Sequence, residues 1–518
     1  MSTHRLPPFP GPTTASTTAP TTTPTTTPTT TRAGVRAGRS VSALICAVAV
    51  GAATACAPSE GAVVAPSQAA AVAPVTPGAS KSTTGAPGIG DPDFPDDGNG
   101  GYDVQHYDLR LSYDPASRKL AGSATIEAKA AQDLTSFDLD LHGLTVSRVT
   151  VDGGAASFDR SKDELVIEPG KRISNGHRFA VTVDYAGVPE PMHDSANLGE
   201  YGFISTADGA FVTCEPNGAK TWFPSNDHPS DKATYDFRIT VPEGLTAIAN
   251  GEMTGTPQTK AGRTTFAWRE KHPMASYLAT MTTGKFQVRT GTSDKGLPIY
   301  VAVADSFRGS LDQLLTQTGK ITDYWSTVFG PYPFSSTGGV IDDYAAGYAL
   351  ENQTKPIYGG FSPEPAIIAH ELAHQWFGDS LTITRWRDLW LNEGFATYAE
   401  WLWAEHTGQG TADSAFKRLY ANAADPMWAY PPGAARADDL FGAAVYNRGA
   451  MTLHALRREI GDDKFFPLIR AWTDAHRYGN VTTQEFIALA ERISGKNLKG
   501  LFDAWLFQPR RPAPLAGP

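Results

Sequence analysis

The spacing of apolar positions changes once along this chain. Between Tyr102 and about Phe286, apolar and polar residues alternate in short runs. These are Tyr107-Asp108-Leu109-Arg110-Leu111-Ser112-Tyr113, Ala124-Thr125-Ile126-Glu127-Ala128, Phe137-Asp138-Leu139-Asp140-Leu141, Phe179-Ala180-Val181-Thr182-Val183 and Tyr235-Asp236-Phe237-Arg238-Ile239-Thr240-Val241. A period of two sends every second side chain to one face of a strand. Turn signals such as Asp152-Gly153-Gly154 separate the runs, and many short strands at roughly 8–12-residue spacing predict an all-β sandwich or saddle over residues 101–286. From 287 to 509, after a short mixed region, the period becomes helical. Thr482-Thr483-Gln484-Glu485 reads as a capping box. Phe486, Ile487, Ala490 and Ile493 follow on one face, and Gly495 can end the helix. Ala366 to about Phe377 is apolar on most sides, which predicts a buried helix. Phe395 to His406 predicts another, with Phe395, Tyr398, Leu402 and Trp403 in the core. The fold class is multi-domain α+β: an N-terminal all-β sandwich or saddle followed by a mainly helical domain.

The two ends read differently. Thr and Pro dominate residues 1–31, a composition that builds no core. Arg32, Arg36 and Arg39 then precede an apolar run from Val41 to about Ala53, the layout of a secretory signal and too short for a membrane span. The run closes on Ala53-Thr54-Ala55-Cys56, which resembles a lipoprotein processing site except that Ala53 replaces the usual Leu. The expectation is an exported protein, held by lipid at Cys56 on the extracellular face of the cell membrane or cleaved and secreted, with no transmembrane helix in the mature chain. Residues 57–100, rich in Ala, Pro, Ser, Gly and Asp, read as a flexible tether, and 510–518 as a loose tail.

Composition changes this picture little. The 518 residues, 41% hydrophobic and 19% charged, are ordinary for a globular chain of about two to four domains. A net charge of −10 argues against a nucleic-acid partner. Of three Cys only Cys214 falls in the folded part, so no internal disulfide framework is available there.

The buried helix carries the chemistry. His370-Glu371-Leu372-Ala373-His374 places two imidazoles four residues apart on one helix face, where they can share one metal ion. Glu371 lies about 100° further round, close to the metal without ligating it, and can take a proton from activated water. Glu393, in Trp390-Leu391-Asn392-Glu393-Gly394, follows His374 by 19 positions, enough chain to turn at Gly378-Asp379 and return on a second helix. Two His and one carboxylate leave a tetrahedral position open, as at a catalytic zinc. Elsewhere the residues leave alternatives open. Glu351, in Gly347-Tyr348-Ala349-Leu350-Glu351-Asn352, is either a solvated strand residue or an anchor for a substrate ammonium group. Tyr446 is a core phenol or a hydrogen-bond donor to an oxyanion. Glu215, in Thr213-Cys214-Glu215-Pro216, is a surface acid or faces a cleft between the domains.

These segments together resemble the aminopeptidase N-like gluzincin family, over about Tyr107 to Pro509. The resemblance rests on His370 to Asp379, Trp390 to Gly394, Ala349-Leu350-Glu351-Asn352, and Tyr446 with Arg448-Gly449-Ala450. In the β part it rests on Trp222 to Pro229 with Lys232-Ala233-Thr234, and on Pro273 to Leu278. It implies a thermolysin-like zinc-peptidase domain with one Zn2+ per chain on His370, His374 and Glu393. Glu371 would be general base and proton shuttle, and Tyr446 the oxyanion stabiliser. Glu351 would hold the free amino terminus of a peptide, Glu215 would be a second anchor, and Ala349, Leu350 and Asn352 would border the substrate. Three positions depart from the family pattern: Tyr348 replaces a Gly, Leu350 a Met and Thr213 a Gln. The resemblance also implies a short form lacking the large C-terminal helical domain. Rival readings are a thermolysin-type endopeptidase, an epoxide hydrolase on the same scaffold, and a surface binding protein without activity. Against the first, Thr397 stands where an Asp usually orients a ligand His. The first residue preferred and the oligomeric state are not legible.

Overall fold

The computed structural model describes residues 82–194 and 199–515. The leader of residues 1–56 with Cys56, the first part of the tether (57–81), and residues 516–518 lie outside the described residues.

The alternating runs become strands with the expected faces. Tyr102–Asp114 pairs parallel with Lys232–Pro242, Leu109 opposite Phe237, and antiparallel with Lys119–Ala130. Tyr107, Leu109, Leu111 and Tyr113 point into the core, and the residues between them do not. These strands belong to a nine-stranded sheet. A five-stranded sheet containing Ala210–Thr213 and a three-stranded sheet containing Phe137–Asp140 complete the β domain. Edge-to-face ring contacts join the layers: Tyr113 meets Phe203 at 5.0 Å and Tyr102 meets Phe137 at 5.7 Å.

Phe286 is the first residue of a second five-stranded sheet, in the order Phe286–Thr292, Pro298–Ala304, Thr337–Asp342, Ile357–Gly359, Ala349–Leu350. The second and third strands run parallel, which requires a crossover, and helix α1 (Leu311–Val328) supplies it. Helices α2 (Pro365–His374) and α3 (Trp390–His406) follow. Pro365 opens α2 at a position where its missing N–H costs nothing. The later helix Thr483–Ser494 has the capping box read from the sequence, with Gly495 left-handed at φ 71°. Helix α3 starts five residues before the Phe395 expected from apolar spacing, so Glu393 sits in its first turn.

Two expectations need correction. The second half of the tether is not flexible, since residues 82–100 pack as a strap across both domains. Thr84 and Ala86 form β-bridges to Ser136 and Gly100. The buried Asp91 carboxylate accepts the Trp386 backbone N–H at 3.0 Å and faces His228 Nε2 at 3.4 Å. Asp93 pairs with Arg387 at 2.8 Å, and Phe94 packs on Trp386. Asp97 receives Lys220 Nζ at 2.9 Å, and Asn99 Nδ2 donates to Asp140 at 2.9 Å. The segment is held largely by its acids, Asp91, Asp93 and Asp97, placed against donors of both domains, a pairing that its composition does not betray. The tail is also docked as far as residue 515. Arg511 lies 4.0 Å over the Tyr420 ring, the Tyr420 hydroxyl donates to the Pro512 carbonyl at 2.7 Å, and Leu515 packs against the cluster of Phe416 and Trp505. Among the described residues no helix is long and apolar enough to cross a membrane.

Candidate active site

Helix α2 is held from behind by α1, where Trp325 Nε1 donates to the Ala369 carbonyl at 3.0 Å. It also packs against α3, and just beyond its end the Phe377 ring stacks on Phe395 of α3 at 4.2 Å. Glu393 Oε2 thereby lies 3.3 Å from His370 Nε2 and 3.5 Å from His374 Nε2. Those separations match the edge of a tetrahedron around an ion with ligand bonds of about 2.0–2.1 Å, an edge of about 3.3 Å. All three side chains are buried, and Glu393 Oε2 has no hydrogen-bond partner of good geometry. A buried carboxylate oxygen left in that state is costly unless something cationic meets it, so the donor set fits a divalent metal.

Both imidazoles are oriented from outside. His370 Nδ1 donates to Glu400 Oε1 at 2.8 Å, and His374 Nδ1 donates to the Phe377 carbonyl at 3.0 Å. These bonds leave each Nε2 lone pair free for a metal. Glu400 is seven residues after Glu393, two turns along the same face of α3. Position 397, considered in the sequence for this task, is Thr and does not perform it.

Around the triad lies an excess of acid. Carboxylate oxygens of Glu215, Glu351 and Glu393 come within 4.8 Å of one another, and so do ligand atoms of Glu351, Glu371 and His374. Burial, with repulsion from Glu351 and Glu393, pushes Glu371 up to about 8 despite the attraction of both His rings. Burial opposes the charged form of Glu393 too, but the two His rings win and hold it down at about 2. Burial and then repulsion from Glu351 and Glu393 raise Glu215 well above the usual carboxylate range. Glu351 is raised by burial and by Glu393, against the pull of His374. Glu215 Oε1 and Glu351 Oε1 have no hydrogen-bond partner.

Tyr446 enters from a π-helical turn, Ala444–Arg448, that leads into the helix Gly449–Ile460. Its ring lies nearly parallel to that of His370, 6.3 Å away. Burial, then the negative charges of Glu393 and Glu215, raise its pKa well above the usual phenol value, so the hydroxyl stays a donor. A backbone crossing makes this approach possible: a Cβ on Gly394 would sit 2.9 Å from Gly449, so only glycine fits beside Glu393. Arg448, fully buried, donates to the carbonyls of Trp505, Trp428 and Ala504 at 2.8–3.0 Å and fixes the turn to the C-terminal segment. Ala349 and Leu350 form an edge strand and Leu350 is buried. Asn352 is fully buried with neither amide atom paired. Lys232, from the β domain, donates to the carbonyls of Asp379 and Ser380 at 2.8 Å each and anchors the turn after α2.

The model of the Peptidase M1 N-terminal domain matches residues 103–278, and that of the Peptidase family M1 domain matches residues 364–505. A crystal structure of an M1 zinc metallopeptidase from Deinococcus radiodurans superposes with a TM-score of 0.77 at 31% identity, covering 83% of this chain and 100% of that one. The chain belongs to peptidase family M1. A variant of the Deinococcus M1 protein, solved with a Tyr-Ser-Ala substrate, superposes equally well, with a TM-score of 0.77 at 30% identity, covering 83% of this chain and 100% of that one. Among curated M1 relatives, Aminopeptidase M1-C of Oryza sativa subsp. japonica is 28% identical over 445 residues, covering 79% of this chain and 50% of that protein. Aminopeptidase N of Lactobacillus delbrueckii subsp. lactis is 27% identical over 447 residues, covering 79% of this chain and 51% of that protein. The chain thus spans about half the length of the curated M1 relatives it matches.

Of the residues expected from the sequence, Glu215, Glu351, Glu371 and Tyr446 lie around His370, His374 and Glu393, while Ala349, Leu350 and Asn352 flank Glu351 along the chain. Glu400 and the Phe377 carbonyl are the supports that sequence reasoning missed, and Lys232, singled out there as part of a β-domain segment, was given no such task. Only Glu400 left a readable signal, a second acid in phase with Glu393 on one helix.

Proposed function

We propose that this protein is a zinc-dependent aminopeptidase that removes residues from the free amino end of peptides. The observation that carries the reading is the pair of buried, unpartnered carboxylates of Glu215 and Glu351 beside the His370–His374–Glu393 triad. Two acids so close in a buried site call for a cation of their own, and a substrate ammonium group is the cation that a peptide end brings. His370, His374 and Glu393 would hold one Zn2+, which when bound supplies a Lewis acid that polarises a carbonyl and lowers the pKa of water toward about 7.

The chain's own residues then have separate tasks. Glu351, with Glu215, binds the ammonium group and sets the first peptide carbonyl beside the triad. Glu371 takes the proton from the attacking water and hands it to the nitrogen of the departing amine, so one water is consumed and two chain ends result. Tyr446 donates its phenolic hydrogen to the carbonyl oxygen as negative charge develops there. Ala349, Leu350 and Asn352 line the approach, with Ala349 and Leu350 on the edge strand. The anchor explains endwise cleavage, because an internal peptide bond offers no ammonium group. It also speaks against a thermolysin-type endopeptidase, for which a buried acid pair beyond the metal has no use.

Paired substrates test the reading. The zinc-loaded protein should hydrolyse an aminoacyl-anilide at least a hundredfold faster than its N-acetylated analogue, and a chelator should abolish both. Equal turnover of the two substrates would refute the anchor. Export of the chain, with lipid on Cys56 or release after cleavage, belongs to the same proposal, and mass spectrometry of the mature amino terminus decides between them.

A further inference from the structure

The Tyr348 hydroxyl ties the segment that carries Glu351 to the strand that leads to Glu215, beside a ring contact of Tyr344 with Phe211 at 5.3 Å. Its hydroxyl donates to the Glu200 carbonyl at 2.9 Å. With its only hydrogen used there, it accepts from Thr213 Oγ1, also at 2.9 Å. Thr213 is buried at the end of the strand Ala210–Thr213, two residues before Glu215, while Tyr348 is three residues before Glu351. At about 3.3 Å of extended chain per residue, the tie lies within roughly 7–10 Å of both acid-bearing backbones. The Tyr348 ring packs edge-on against Phe211 of the same strand at 6.2 Å, and the nearby Tyr344 hydroxyl donates to the Glu200 carboxylate at 3.0 Å. Beyond Glu351 the segment is held from the other side, where Gln375 Nε2, next to His374, donates to the Glu351 carbonyl at 2.9 Å.

We propose that Tyr348 is a positioning residue that holds the Glu351 and Glu215 carboxylates at the spacing of a single ammonium group. Glu215 and Glu351 repel each other, and their strands belong to different domains. A link across the domain boundary keeps the pair from spreading before substrate arrives, so that the reorganisation is complete in advance. The inference rests on the aminopeptidase reading and adds a determinant of amine affinity that does not touch the substrate.

An ammonium contact is the same in the ground state and the transition state, so loosening it should raise KM and spare kcat. The test is steady-state kinetics on leucyl 4-nitroanilide with the full chain, its zinc content and melting temperature measured alongside. The variants are Tyr348→Phe, Thr213→Val, Thr213→Ser and the double variant Tyr348→Phe with Thr213→Val. Thr213→Val, which removes one hydrogen bond, should raise KM roughly 3- to 10-fold, and Tyr348→Phe, which removes both bonds of the hydroxyl, at least as much, each with kcat within about twofold. The double variant should be no worse than Tyr348→Phe, because Tyr348→Phe already removes the bond that Thr213→Val removes. Thr213→Ser keeps the donor and should keep the wild-type KM. An unchanged KM in Thr213→Val at full zinc content, a fall in kcat instead, or multiplying effects in the double variant would overturn the tie while leaving the aminopeptidase reading intact. A zinc-loaded wild type that cleaves no aminoacyl-anilide would overturn both.

Discussion

Glu400 gives the sharpest test of how the metal site is built. Replacing it with Ala removes the acceptor that holds the His370 Nδ1 hydrogen at 2.8 Å. The ring then either leaves a buried N–H unpaired, at a cost of about 1–3 kcal/mol, or rotates and misdirects Nε2. Loss of such an outer carboxylate typically costs 10–100-fold in metal affinity, or about 1.4–2.7 kcal/mol, so the two routes agree in size. The Glu400 side chain is 16% exposed and that of His370 11%, so water can reach the gap and the lower half of the range is expected. Glu400→Gln keeps an acceptor oxygen but loses the charge, so it should fall between wild type and Glu400→Ala. The assay is a competition titration with a zinc chelator of known affinity, supported by the zinc-dependent rise in melting temperature. A zinc Kd within twofold of wild type in Glu400→Ala, or a Gln variant weaker than the Ala variant, would refute the reasoning.

Other expectations are as definite. Glu371→Gln should keep one zinc per chain by elemental analysis while turnover of an aminoacyl-anilide falls roughly 10²–10⁴-fold. Tyr446→Phe should lower kcat by about 10²–10³ with zinc content unchanged, since it removes a donor to a developing oxyanion. Asp91 is opposed by burial but held down to about 2 by His228 and the backbone N–H groups of Asp93 and Trp386. A depressed carboxylate stabilises the fold above its unfolded pKa and loses that effect as pH falls through the folded one, so Asp91→Asn should destabilise by about 2 kcal/mol at pH 7 and about half that at pH 3, read from denaturant melts at both pH values.

The legible parts of the fold were those with a strong period. The strand Tyr107 to Tyr113 and the capped helix Thr483–Ser494 declare themselves because burial on one face and a reciprocal cap are written in neighbouring residues. The metal triad was legible for the same reason: His370 and His374 are one turn apart, and Glu393 is one helix away. What could not be read depends on partners distant in sequence. The strap of residues 82–100 looks like linker because its acids, Asp91, Asp93 and Asp97, are matched by donors at Trp386, Arg387 and Lys220. The early start of α3 was missed because Trp390 to Gly394 is buried on all sides and shows no amphipathic period.

Glu371 and Glu393 carry the same side chain beside the same His374, and their environments separate them. Glu393 faces both imidazoles, whose attraction, where the rings carry a proton, holds it down at about 2 against burial. Glu371 faces Glu351 and Glu393, and burial together with their charge lifts it to about 8. A group in that range gives up and takes back a proton near neutral pH, which a ligand cannot do and a shuttle must. A cation at the triad would pull Glu371 down from about 8, toward the ionised form that accepts the proton of water. An ammonium group on Glu351 and Glu215 would act in the same direction, so arrival of substrate itself would favour the base. On the proposed function, the surplus of buried acid that makes this site unfavourable by itself would thus couple occupancy by its two cations to readiness for proton transfer.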